Sequence, residues 1–424
     1  MSIKAINGFK DILPDKALLW QEIESLARDI FQRYGMQEIR VPLLEKTELF
    51  VRSIGEATDV VEKEMYSFPE KGITMRPEAT ASIMRAYIEH GMHVQQPVQR
   101  LYTIGPMFRH ERPQKGRQRQ FHQLDCEIIG AKEPQIDAEL IAMAQALLDA
   151  LKIDTSLELN SMGCISCRAP YREKLISFLT THQGDLCNDC RRRTRLNPLR
   201  VLDCKKDSCR RIVQNAPSLL DDLCEQCSTH FAVVQETLDE LDIAYTLNRF
   251  MVRGLDYYTQ TTFEFLSKNL GAQAAVGGGG RFNGLIEELG GPSMPGIGFA
   301  MGLERLVLLM EQDTTRKQLL SKSDLFIAAL GSEAIRSSTR LIHLLRKKGI
   351  LAAMDYSGRS LKAQMKLANR INARFTLIIG DKELEQGQAV LRNMINQEQQ
   401  PFLLDRDSNE QCDHLLMILR PNFS

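Results

Sequence analysis

The chain has 424 residues, 43% hydrophobic and 25% charged, the balance of a globular protein long enough for two or three domains and unlike a disordered or fibrous one. Lys+Arg and Asp+Glu both total 54, so net charge gives no steering toward nucleic acid and an RNA-binding surface has to come from local segregation of charge. No apolar run is long enough to span a bilayer and the opening MSIKAINGFKDILPDK has no apolar signal core, which predicts a cytoplasmic location and makes the ten cysteines thiols or metal ligands rather than disulfides.

Gly8 to Pro14 is a turn-rich entry, after which Leu19, Ile23, Leu26, Ile30 and Phe31 form an apolar stripe that predicts a helix from Leu18 to Tyr34, ended by Gly35. Glu38 to Glu45 reads as a strand that Pro42 keeps from pairing fully on both sides. In Met75 to Ala81 the spacing places Pro77 and Glu78 in the first turn of a helix running to about His90. The stretch LYTIGPMFRHERPQKGRQRQFHQLDCEIIG, from Leu101 to Gly130, reads as two strands around a basic loop rich in donors for phosphate. Along the second, Leu124, Cys126 and Ile128 share one face, while Phe121, Gln123, Asp125 and Glu127 share the other. The first face belongs to a core. The second suits the floor of a pocket, and Arg109 and Glu111 share a face of the incoming strand by the same period of two.

A helix is expected from Ile136 to Leu151, and then the composition shifts. Between Cys164 and Arg211 twelve Lys or Arg face five acids, a net of +7. Cys164, Cys167, Cys187, Cys190, Cys204, Cys209, Cys224 and Cys227 give three CxxC pairs and one wider pair, enough thiolates for one or two tetrahedral structural zinc sites; small buried thiols are the other reading. Further on come Val252 to Thr259 with the run RGLDYY, a strand from Thr261 to Leu266, a glycine loop Gly277 to Gly280, and a strand-to-helix passage from Gly298 to Leu309. A charged link, Glu311 to Ser323, precedes alternating strands and helices from Leu325 to Gly380, which predict a small α/β domain.

Two antiparallel strands joined by a basic loop, with Arg109 before it and Phe121 after it, resemble motif 2 of the class II aminoacyl-tRNA synthetases. FRHERPQKGRQRQFHQ and RGLDYY together resemble the histidyl-tRNA synthetases among them, over about residues 4 to 385. The resemblance implies an α+β fold: an antiparallel sheet flanked by helices over residues 1–323, a Cys-rich basic helical insertion at 160–235, and an α/β anticodon-binding domain at 324–424. It implies activation of L-histidine by ATP and Mg²⁺, transfer to the 3′ end of tRNA(His), and a homodimer built on the helix and strand around Pro42, which resemble motif 1. Arg109 is then a ligand of the α-phosphate and of the substrate carboxylate, Glu111 reads the adenine edge, and Phe121 stacks on it. Glu78 and Thr80 hold the α-amino group, Gln123 orients it with the carboxylate, and Glu127 with Tyr258, beside Tyr257, grips the imidazole. Arg253 meets transition-state charge; Arg117 and Arg305 hold the leaving pyrophosphate. The insertion's positive charge suits the tRNA acceptor arm, and Lys347, Lys348, Arg359, Lys362 and Lys366 are candidate RNA contacts. The chain departs from the family at Phe282-Asn283, where Tyr-Asp is usual, implying a weakened histidine pocket. The rival is a non-catalytic histidine-sensing regulatory subunit of ATP phosphoribosyltransferase, which lacks the anticodon domain and erodes the ATP and RGLDYY residues.

Overall fold

A computed structural model describes residues 3–55, 58–271, 274–312, 323–404 and 407–419. The chain divides into two compact units, Met1–Gln312 and Asp313–Ser424. Most of the expected link from 311 to 323 lies outside the described residues, as do parts of the stretch after 404.

The strands of the first unit are β1 (Gln37–Glu38), β2 (Leu44–Lys46), β3 (Tyr66–Phe68), β4 (Ile73–Met75), β5 (Gln99–Phe108), β6 (Gln120–Ile129), β7 (Ser156–Ser161), β8 (Tyr245–Leu247), β9 (Thr259–Leu266), β10 (Ala275–Arg281) and β11 (Gly296–Gly302). Eight of them form one sheet in the order β1-β5-β6-β11-β10-β9-β7-β8, antiparallel from β5 to β7 with a parallel strand at each edge. The β5–β6 pair sets Leu101 opposite Glu127 and Phe108 opposite Gln120, so the basic loop closes a long hairpin. The alternation predicted for β6 holds: Leu124, Cys126 and Ile128 are buried in the core.

Helix Pro14–Arg33 buries Leu19, Ile23, Ala27, Ile30 and Phe31; Pro14 takes its first turn and Gly35 follows its end at φ +72°. The single strand expected from Glu38 to Glu45 is instead two. β1 pairs with β5 and β2 pairs with β4 of a separate three-stranded sheet, because Pro42 cannot donate to a ladder and the chain changes sheets around it. The helix expected to include Pro77 and Glu78 is Thr80–Glu89. Glu78 lies before it and its Oε1 accepts the Ala81 N–H at 3.0 Å, a capping role that left Oε2 free for other work. The glycine run is part of a central strand and not a loop: a Cβ on Gly279 would sit 1.9 Å from the Gly298 carbonyl, so β10 fits between β9 and β11 there because Gly277 to Gly280 carry no side chains.

Between β7 and β8 lies the helical insertion, with helices Ile165–Thr181, Asn188–Leu196, Leu199–Leu202 and Asp207–Val213. Its own small core gathers Tyr171, Leu175, Leu179, Val201 and buried cysteines. Helix Glu225–Glu240 leaves the insertion, runs past residue 235 and packs on helix Pro134–Ala150, where His230 Nε2 lies 2.9 Å from Asp137. Asp137 also pairs with Arg281, which is fully buried and donates to the carbonyls of Ala131 and Glu133 at 3.0 Å.

The second unit has parallel strands β12 (Leu325–Leu330), β13 (Ala352–Met354) and β14 (Phe375–Gly380), as the alternation predicts. Antiparallel β15 (Gln388–Asn393) and β16 (Gln399–Leu403) extend the sheet, and helix Ser408–Leu419 covers it through Cys412, Leu415 and Leu419. Helices Ser332–Lys347 and Leu361–Arg370 complete a sheet covered on both faces.

Candidate active site

A cavity of about 1010 Å³ opens on the sheet of the first unit. Every residue assigned from the sequence to the histidine and ATP sites lines it: Glu78, Thr80, Arg109, Glu111, Arg117, Phe121, Gln123, Glu127, Arg253, Tyr257, Tyr258 and Arg305; of the eight candidate zinc cysteines only Cys204 does. They arrive from five segments: the start of helix Thr80–Glu89, the basic loop, β6, the 251–258 loop and the start of helix Leu303–Met310; Arg109 and Glu111, expected on the incoming strand, lie in the loop because β5 ends at Phe108.

One side of the cavity is acidic and short of donors. Thr80 Oγ1 donates to Glu127 Oε1 at 2.6 Å. Glu78 Oε2, Gln123 Oε1 and Glu127 Oε2 are buried with no hydrogen-bond partner. Burial is the main cause that pushes the Glu127 carboxyl well above its ordinary value; the Thr80 hydrogen bond opposes it, and Asp125 and Glu78 add to it. Burial likewise raises Glu78, against the Ala81 N–H, Thr80 and Arg109. Asp125 is raised well above its ordinary value by burial and by Glu78, despite Arg76 and Arg109. Buried acceptors without donors are costly unless a ligand supplies them, and here three converge, the demand of an ammonium group and a ring N–H.

The other side is cationic. Arg109 donates from Nε to the Pro77 carbonyl at 2.9 Å and lies over the Phe121 ring, 5.4 Å from its centroid. Arg117 pairs with Glu111 at 2.7 Å. Arg305 donates to the Gly116 carbonyl at 3.3 Å and to the Ala275 carbonyl; burial lowers its pKa, and the Arg117 and Arg109 charges lower it further. Three guanidinium groups that repel one another are relieved by a polyanion. Arg253, ion-paired with Glu264 and 5.5 Å from the Tyr258 centroid, joins the two sides; its Nε is buried without a partner.

Pattern reading missed several residues that position these groups. Glu264 on β9 holds Arg253, and only a polar residue on a pocket-facing strand hinted at it. Gly298 makes room for Glu127: a Cβ there would lie 1.6 Å from Oε2. Glu304 accepts the His122 backbone N–H at 3.0 Å and faces its ring Nδ1 at 3.1 Å, while Trp20 packs edge-on against that ring at 4.8 Å, so His122 is a structural residue. Phe282 lines the cavity from the core side, edge-on to Tyr257 at 6.1 Å. Asn283 does not line it; its amide bonds Gln260 at 2.7 Å and accepts the Gly296 N–H at 3.2 Å, tying β9 to β11. If the missing phenol is what weakens the pocket, Phe282→Tyr is expected to lower the KM for histidine by about fivefold, one neutral hydrogen bond of about 1 kcal/mol; steady-state exchange kinetics against histidine check this.

An antiparallel sheet with this two-sided cavity, in a chain that also carries a separate α/β unit, is the architecture of a class II aminoacyl-tRNA synthetase. Residues 8–306 match the family model for histidyl-tRNA synthetase and residues 324–408 that for an anticodon-binding domain. The histidine–tRNA ligase of Desulfotalea psychrophila is 58% identical over 94% of this chain and 93% of its own length, and that of Syntrophotalea carbinolica 52% over 96% and 97%. The crystal structure of apo S. aureus histidyl-tRNA synthetase superposes with a TM-score of 0.80 at 38% identity, covering 97% of this chain and 100% of that one. The chain belongs to the histidyl-tRNA synthetase family.

Proposed function

We infer that this cavity activates L-histidine with ATP and passes it to tRNA(His). The observation that carries the reading is the pairing, in one cavity, of donor-starved carboxylates with a guanidinium cluster: histidine's ammonium and imidazole N–H satisfy Glu78, Gln123 and Glu127, and the triphosphate satisfies Arg109, Arg117 and Arg305. The Tyr258 hydroxyl serves the second ring nitrogen, so a substrate lacking either nitrogen leaves a buried group unpaired. Phe121 offers its ring to adenine and Glu111 the adenine edge.

In this reading the histidine carboxylate attacks the α-phosphate in line, expelling pyrophosphate, and the 3′-terminal ribose hydroxyl of tRNA then takes the histidyl group from the adenylate. Arg109 and Arg253 offset charge on the transferring phosphoryl group, and Arg117 and Arg305 hold the pyrophosphate. Mg²⁺ takes oxygen ligands only; Glu264 and Glu304 line the cavity but are engaged by Arg253 and His122, so the ion would be held mainly by triphosphate oxygens and would supply further neutralisation of phosphate charge. Exchange of labelled pyrophosphate into ATP with histidine alone among the amino acids tests the reading. Histidine binding without exchange would favour the regulatory alternative, which the intact arginines and the matched anticodon domain argue against.

A raised carboxyl pKa gives a pH signature. In the free protein Glu78, Asp125 and Glu127 keep protons that the unfolded chain has lost, so stability from these groups declines as pH rises above their ordinary values. Histidine's ammonium binds the ionised form and reverses that loss. The rise in Tm produced by saturating histidine is therefore expected to be larger at about pH 8 than at about pH 5.5, where the free imidazole is also charged; differential scanning fluorimetry checks it.

Lys347, Lys348, Arg359, Lys362 and Lys366 are all exposed in the second unit, available to tRNA phosphates, although Arg359 pairs with Asp355 at 2.6 Å. Leu43 and Leu44, just after Pro42 where the chain enters β2, are exposed apolar residues in the segment assigned to a homodimer. Among the described residues no helix is long and apolar enough to cross a membrane, and none of the ten cysteines is in a disulfide, as the reading of thiols or metal ligands expects. Structural Zn²⁺ would be held by the insertion cysteines and would make no bond to substrate.

A further inference from the structure

The eight insertion cysteines fall into two groups of four, Cys164, Cys167, Cys224 and Cys227, and Cys187, Cys190, Cys204 and Cys209. In each, all four sulfurs lie within 4.8 Å of one another. Cys164 Sγ is 3.5 Å from Cys167 Sγ and 3.9 Å from Cys224 Sγ. A disulfide needs about 2.05 Å; a tetrahedron with Zn–S bonds of about 2.3 Å has edges of about 3.8 Å. The local backbone is built to match. Cys164, Cys187 and Cys224 each occupy the N-cap position of a helix without a side-chain capping hydrogen bond, so the second cysteine of each pair falls one turn on and faces the same point. Across each group a backbone N–H donates to a sulfur: Cys224 to Cys167 Sγ at 3.1 Å and Cys187 to Cys209 Sγ at 3.3 Å, the environment of a thiolate. Gly163, at φ +56°, lets the chain turn there, since a Cβ would meet the Cys167 Cβ at 2.7 Å.

The two groups do different mechanical work. The first joins the segment just after β7 to the start of helix Glu225–Glu240, closing the base of the insertion. The second brackets residues 191–203, with Cys187 and Cys190 before and Cys204 and Cys209 after. That arm touches the catalytic body. Arg193 pairs with Asp59 at 2.8 Å and Arg192 with Glu62 at 3.4 Å. Asn197 donates to Asp256 at 2.9 Å, and Arg200 bonds the Gly254 carbonyl while lying 3.6 Å from Asp256. Gly254 and Asp256 lie in the same loop as Arg253, just after it, and Arg200 and Cys204 themselves line the cavity. Much of the arm's positive charge is thus engaged with the protein's own body. Of residues 191–203, Val201 alone belongs to the insertion's buried core, so packing contributes little to holding that pose.

We propose that the two groups are mononuclear Zn²⁺ sites, and that the ion on Cys187, Cys190, Cys204 and Cys209 fixes both ends of the 191–203 arm so that Arg200 holds the Arg253 loop in its reacting position. The second half rests on the cavity being the ligase site. Four thiolates at these spacings select zinc, and the sulfurs are too close together to enclose a multi-iron cluster. Zinc here touches no substrate; Arg200 is a positioning residue.

The test uses the full-length protein. Elemental analysis is expected to give two zinc per chain, and growth with Co²⁺ to give thiolate-to-cobalt charge-transfer bands. The pair Cys187→Ser/Cys209→Ser is expected to retain one metal and to lose on the order of ten- to a hundred-fold in the kcat of histidine-dependent exchange with little change in the KM for histidine. Arg200→Ala, keeping both metals, is expected to reproduce the kcat loss. Protein that exchanges normally but contains no metal, contains iron, or has its cysteines paired as disulfides overturns the zinc sites and leaves the ligase reading standing. Two zinc ions with full exchange by Arg200→Ala overturn the positioning role. Cobalt bands that survive Cys187→Ser/Cys209→Ser undiminished overturn the assignment of the second site even if that variant folds poorly. Failure of the wild-type protein to exchange with histidine while holding two zinc ions sinks the ligase reading and the positioning role with it.

Discussion

Arg253→Gln is expected to slow the exchange of pyrophosphate into ATP by on the order of 10²–10³-fold in kcat, with a much smaller change in the KM for histidine. The side chain stands where the acidic and cationic sides of the cavity meet, with Nε buried and unpartnered and the guanidinium braced by Glu264 and the Tyr258 ring. A donor held in place before the charge develops stabilises the transition state without reorganising, and that is the condition under which one donor is worth about 3 to 4 kcal/mol. The competing account is that Arg253 only neutralises Glu264. Removing one partner of a part-buried pair then lowers Tm and leaves kcat alone, and Arg253→Gln/Glu264→Gln recovers what the single change lost. Recovery of kcat as well as Tm in the double variant would defeat the catalytic assignment. Arg253→Lys separates charge from geometry: a point charge on a flexible stem cannot reproduce a braced fork, so an intermediate rate is expected.

Where side-chain period and motif order decided matters, the sequence was a sufficient guide. The alternation along β6 put Gln123 and Glu127 on the cavity side and Leu124 and Cys126 in the core, and the structure keeps both assignments. What the sequence concealed depends on contacts between distant segments. Nothing near Glu78 shows that its carboxylate caps Ala81 from outside the helix, so the pattern places the helix start at least three residues early, at Pro77 instead of Thr80. Pro42 signalled limited pairing, but not that the chain would leave one sheet for another there. Four glycines in a row read as a loop; they are a strand because β9 and β11 press on both sides, a fact carried by Phe263 and Gly298 and invisible in the run itself. The cysteines could be counted, yet their division into two groups follows from which helix starts face each other.

That same dependence on distant contacts makes Gly298→Ala the second substitution with a large expected effect. Gly298 pairs with Glu127 across β11 and β6, and an added methyl would lie 1.6 Å from Glu127 Oε2 and 2.7 Å from the Cys126 carbonyl. The backbone neighbour cannot yield, so the carboxylate must turn away, and its 2.6 Å hydrogen bond from Thr80 goes with it. Histidine then loses a charge-assisted bond to its ring N–H and sees a disordered neighbour at its ammonium. At about 1.5 to 3 kcal/mol for such a bond, the KM for histidine is expected to rise by about 10- to 150-fold. ATP, bound by Arg109, Arg117 and Arg305 on the other side, should be held nearly as before. Gly302→Ala, on the same strand but with nothing nearer than 3.5 Å to its added methyl, is the control and should change little. Isothermal titration with histidine and with ATP separately distinguishes the outcomes: equal loss of both ligands would mean the sheet has deformed, and unchanged histidine affinity would remove Glu127 from the imidazole site.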